Sequence, residues 1–235
     1  MAISEIGSGV TLQGASSPSS IVVTHGFTIA SGDLLIASLA SNDNLTAFAD
    51  ANGSYPFTQA WNADGAPSGN TSQNSIWYRV AGVPAEPTTY TWADDNAGQA
   101  YAVVIRQFRG VHANVWDVTP SATTQAYSTT AGTTATSSDM TIVTAGALGI
   151  AFLWTDYTGA LTYSSPTNSW GTAVSCATNW PLGTYLRACA SSGAIGTAQW
   201  TISASQDWEV MLGALKPSTE PAGFTGLTVT RLLNG

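Results

Sequence analysis

The chain has 235 residues, of which only 9% are charged, with a formal net charge of −8 and a single lysine, Lys216. An ordinary globular protein carries about 25% charge, so this surface must be built from Ser, Thr, Asn, Gln and Gly, residues that favour strands, turns and loops over helices. The negative balance repels polyanions, which argues against nucleic-acid binding, and no apolar run approaches the roughly 20 residues of a membrane helix.

The first ten residues, MAISEIGSGV, have neither a basic start nor an apolar stretch. Synthesis in a cytoplasm without a secretory signal is therefore expected, and residues 1–20 read as an N-terminal arm. From there, short β-rich runs recur between Gly, Pro, Asn and Asp, with no sustained helical spacing. Strands are predicted near 20–29, 33–40, 55–61, 74–81, 88–93 and 99–108. A second set is predicted near 114–118, 138–143, 147–154, 171–177, 184–190, 197–203 and 207–215. The Ser/Thr-rich stretch 119–138 reads equally as a linker or as polar strand at a sheet edge. Beyond Lys216, PSTEPAG ends the last strand and FTGLTVTRLLNG follows as a C-terminal arm, 217–235. Its Leu227, Val229, Arg231, Leu232 and Leu233 are candidates for adding to the sheet edge of a partner.

The two sets overlay. TIASGDLLIASLASND (28–43) shares its grammar with TIVTAGALGIAFLWTD (141–156), a displacement of 141 − 28 = 113. Arg79 in SIWYRVA falls over Arg187 in GTYLRAC, 187 − 79 = 108, and Tyr90 falls over Trp200, 200 − 90 = 110. YAVVIRQF (101–108) falls over WEVMLGAL (208–215), 208 − 101 = 107. This self-similarity predicts pseudo-repeats at about 21–118 and 138–216. The expected fold is all-β: a two-layer antiparallel β-sandwich, jelly-roll-like, over 21–216.

Residues that carry chemistry are sparse. His25 and His112 sit at strand ends, outside any nucleophile or metal-helix signature. Asn42-Asp43-Asn44, Asp94-Asp95-Asn96 and Asp156 offer hard oxygens to calcium, but Asx-turns explain them without an ion. Glu86, Glu209 and Asp207 are the carboxylates to consider for glycoside hydrolysis; no motif supports that, and no catalytic residue, cofactor or metal is assigned. Cys176 and Cys189 read as two buried thiols or a hairpin disulfide. Of the nine tryptophans, Trp61, Trp170 and Trp180 fall in loop-like segments beside Asn, Gly and Pro. There they would either stack on sugars and anchor an interface, or plug the open end of a sandwich.

GDLLIASLASND, SIWYRVAGVPAEPTTYTW and AYAVVIRQFRGV, followed by Trp116-Asp117, resemble a β-sandwich module common in tailed-phage virion proteins and in some bacterial surface proteins. The resemblance covers roughly residues 20–217. It implies a non-enzymatic virion protein, foremost a capsid decoration protein that binds the major capsid protein or other virion proteins as a homo-oligomer or lattice-bound subunit. It brings no catalytic residues. The alternative it leaves is a carbohydrate-binding module of a tail or fibre protein, engaging host-surface glycans.

Overall fold

The structure is a computed structural model that describes residues 2–41, 49–64, 73–82, 86–94, 98–156, 159–164, 166–171, 173–178 and 180–218. The candidate arm residues Leu227, Val229, Arg231, Leu232 and Leu233 lie outside them. Described residues form strands and no helix. In chain order the strands are β1 (Ser4–Glu5), β2 (Val10–Gly14), β3 (Ser20–Thr24), β4 (Leu34–Ser41), β5 (Ala49–Asp50) and β6 (Thr58–Asp64). Then come β7 (Gln73–Val80), β8 (Thr89–Ala93), β9 (Tyr101–Arg109), β10 (Val111–Val118), β11 (Gln125–Thr136) and β12 (Thr141–Ile142). The last are β13 (Ala147–Thr155), β14 (Val174–Cys176), β15 (Leu182–Cys189), β16 (Gly193–Ala194) and β17 (Gln199–Pro217).

Two six-stranded antiparallel sheets form the body. The first has the order β6-β7-β4-β9, with β1 and β2 both on the free side of β9. The second has the order β14-β15-β13-β17, with β10 and β11 both on the free side of β17. Registers correspond as well as orders. In the first sheet Leu34 faces Val80 and Phe108; in the second Leu148 faces Ala188 and Leu215. The offsets are 148 − 34 = 114, 188 − 80 = 108 and 215 − 108 = 107.

Alternation explains why the central strands read as unbroken apolar runs. Leu34, Ile36 and Ala40 of β4 and Ala102, Val104 and Phe108 of β9 point into the core between the two sheets, where they meet Ile150, Phe152, Trp154, Met211 and Leu215. The intervening Leu35, Ala37, Leu39, Val103 and Ile105 point outward, yet they too are buried, under the three-stranded layer β3-β8-β5 with its Tyr90 and Trp92. The second sheet is backed in the same way. Ala151, Leu153, Val210 and Leu212 lie under Trp170, Trp200, Ile202, Met140 and Ile142. Strands covered on both faces lose the polar alternation of a half-exposed strand. The two sheets of the expected sandwich are thus present, each with a further layer outside it.

Two segments differ from the sequence expectation, and a third takes one of the two readings left open for it. Residues 1–20 are not a free arm: β1 and β2 extend the first sheet along β9, so the sandwich begins at Ser4 and not at residue 21. Of the two readings left open for 119–138, residues 125–136 take the second, an edge strand, β11, of the second sheet. β17 runs for 19 residues because it serves two layers. Its start pairs with Thr134–Thr136 beside Trp200, and its later part pairs with β13. Among the described residues no helix is long and apolar enough to cross a membrane.

Candidate functional site

The three loop tryptophans do not form an exposed platform. Trp180 is 1% and Trp170 5% exposed, and Trp61 is a half-buried residue of β6 packed against the central core. Trp180 belongs to the central core and is held at φ 77°, a conformation that bulky residues avoid, just before Pro181. Trp170 lies against Trp200, ring centroids 6.3 Å apart, over Gly149. Of the two readings left open for these tryptophans, stacking on sugars or an interface and plugging the sandwich, their burial matches the second.

Arg79 and Glu86 form a two-point ion pair: Nε donates to Oε2 and Nη2 to Oε1, each at 2.9 Å. Tyr90 and the Gly82 N–H also donate to Glu86, at 3.0 Å. Burial pushes Glu86 upward, but these donors outweigh it and hold the carboxyl below its ordinary range. His25 stacks between Phe27 and Tyr90, centroids 5.0 Å from each. Burial lowers its pKa against the opposing pull of Pro87 and Glu86, so it is neutral at pH 7.

Asp33 closes a second network. Its Oδ1 accepts from Arg109 Nε at 2.7 Å, and its Oδ2 from Arg109 Nη2, Gln107 Nε2 and the Ala30 N–H. The second half has Gly146-Ala147 where the first has Gly32-Asp33. There Asp117 does the turn's work, accepting from the N–H groups of Val143 and Thr144.

Two polar side chains point into the central core itself. Arg106 of β9, 3% exposed, is held by both oxygens of Glu5 on β1 at 2.7 Å. It also donates across the layers to the Thr184 carbonyl of β15 at 2.9 Å. Glu209 of β17, 2% exposed, reaches back: Asn74 Nδ2 of β7 donates to it at 2.7 Å and Gln125 Nε2 of β11 at 2.8 Å. Burial, only partly offset by those donors, pushes the Glu209 carboxyl up to about 7. The Asn74 Oδ1 is buried without a partner. A protonated Glu209 has one O–H to donate, and turning the Asn74 amide would present that oxygen to it.

No family model, curated protein or solved structure matches the chain. What the site can do thus rests on its geometry. Glu86 is fixed beside an outer layer and Glu209 between the main sheets, so they do not flank a common cleft as glycoside hydrolysis requires. Cys176 and Cys189 are both buried free thiols. Among the described residues no group of three or more His, Cys, Asp and Glu could hold a metal. Asn42-Asp43-Asn44 and the Asp95-Asn96 pair lie outside the described residues.

Sequence reading missed Glu5, Asn74, Arg106 and Gln125. A signal existed for two contacts: Arg106 in AVVIRQF and Glu209 in WEVML are lone charges inside apolar runs, which demand a buried partner. Nothing local identified which partners those would be.

Proposed function

We propose that this chain is a non-enzymatic structural protein of a tailed-phage virion, and within that class a capsid decoration protein that binds neighbouring virion proteins. One observation carries the reading: the side chains best suited to chemistry are engaged with partners of the fold's own. Arg79, Arg106 and Arg109 are each clamped by a carboxylate, and His25 is stacked and neutral. On the outside lies the long Ser/Thr-rich edge strand β11, which carries no charged residue and has Tyr127 exposed. A strand without charge that presents a tyrosine suits packing against other proteins in a particle. The phage-module resemblance of residues 20–217 points the same way. The partner of first choice is the major capsid protein.

Co-sedimentation of purified protein with expanded, empty heads tests this. Saturable binding, weakened when residues 219–235 are removed, is the expected result. A chain that ignores heads yet scores on a glycan array would replace decoration by glycan recognition, at a surface other than Trp61, Trp170 and Trp180.

A further inference from the structure

At the end of the sandwich where β17 stops, an apolar groove of about 190 Å³ opens between Ala2 and Ile3 on one side and Ala147, Leu148, Ala188 and Cys189 on the other. Its walls come from both sheets. The described chain leaves the fold beside it. A methyl group built on Gly146, a groove residue, would come within 3.9 Å of Pro217 Cγ. The Ser218 N–H donates to the Gly110 carbonyl at 2.8 Å, and Gly110 in turn lies against Ala2.

Seventeen residues follow Ser218 (235 − 218 = 17), and the first aromatic among them is Phe224. It lies 224 − 218 = 6 positions beyond Ser218, a reach of about 20 Å for extended chain. The intervening Thr219-Glu220-Pro221-Ala222-Gly223 contains a proline and a glycine, residues suited to reversing direction. We propose that the groove is the docking site of the chain's own C-terminal segment, with Phe224 as the residue that enters it. Three features meet there: an apolar receptor, an apolar side chain, and a tether short enough to hold the local concentration in the millimolar range. Docked, the segment is latched to its own sandwich; released, Leu227 to Leu233 become free for a partner. The latch does not depend on the virion reading and is tested without particles.

Cys189 in the groove reports on it, with Cys176 in the central core as the internal control. Peptide-level mass spectrometry would follow N-ethylmaleimide labelling of both thiols in the full chain, in Phe224→Ser and in a chain ending at Ser218. The expected result is Cys189 labelling roughly tenfold faster in both variants, as for a latch closed about nine-tenths of the time, with Cys176 unchanged and rates independent of protein concentration. Equal Cys189 rates in all three chains would overturn the proposal. So would equal acceleration of both thiols, which makes the segment a general stabiliser. Protection lost on dilution would assign the groove to a second copy's segment instead.

Discussion

Glu209 carries a carboxyl group buried between the two main sheets. Its folded pKa, about 7, lies above the ordinary 4.5, so the folded state holds the proton more tightly than the unfolded chain. Its contribution is fully present below pH 4.5 and is lost as pH rises to about 7, a difference on the order of 3 kcal/mol. Asp33 and Glu86 have the opposite sign: their lowered values favour the fold above the ordinary carboxylate range and lose that contribution as pH falls through the folded pKa. Denaturant midpoints should therefore peak near pH 5. In Glu209→Gln the decline from pH 5 to 8 should flatten, leaving the variant more stable than the parent at pH 8; an unchanged slope would remove Glu209 from the explanation. Trp180 makes a different residue-scale case. A fully buried ring in the central core predicts a loss of about 3–5 kcal/mol on Trp180→Ala, measurable by urea denaturation. A sugar-stacking ring would leave stability nearly unchanged.

At the scale of elements, the N-terminal strands matter most. Among the described residues β1 supplies the only carboxylate bonded to Arg106, and β2 covers β9 in a five-residue ladder from Val10↔Ile105 to Gly14↔Tyr101. Glu5→Ala strands the Arg106 charge in the core and should cost about 2–4 kcal/mol, with the partial exposure of Glu5 holding it below the full value for a buried pair. Removing residues 1–14 should prevent folding, read as loss of a cooperative thermal transition. If that truncation stayed folded and lost only head binding, the segment would be an arm after all. Sequence reading went astray here for a physical reason. MAISEIGSGVTLQG has too few apolar residues to announce a strand by pattern. Its half-exposed β2 becomes a strand because β9 offers an unpaired edge that needs covering.

For the whole molecule, the matched orders and registers of the two sheets have an energetic consequence. Each half builds one sheet and its outer layer, but the central core is shared. Ile36, Val104 and Phe108 share one apolar cluster with Ile150, Phe152, Trp154, Leu182, Met211 and Leu215, all supplied by the second half. Fragments 1–110 and 111–235, divided at the Gly110 turn, should each expose that face and aggregate alone, yet associate when co-expressed. Recovery of both fragments as one complex on size-exclusion chromatography checks this, and two independently soluble halves would contradict it. The correspondence also motivates our proposal that the chain arose by duplication of a single sheet-plus-layer unit.

Composition, the lack of helical spacing and the short β-rich runs between Gly, Pro, Asn and Asp determined by themselves that the chain is all-β and placed most of its main strands. These are local properties, written in strand-forming runs and turn residues that need no partner. Tertiary structure alone decided that loop-like Trp170 and Trp180 lie inside, that residues 4–14 belong to the first sheet, and that Glu209 meets Asn74 across the layers. Each depends on which surface arrives from far along the chain, 209 − 74 = 135 positions in the last case. Burial and the pairing of lone charges are settled by that arrival, not by neighbours in sequence.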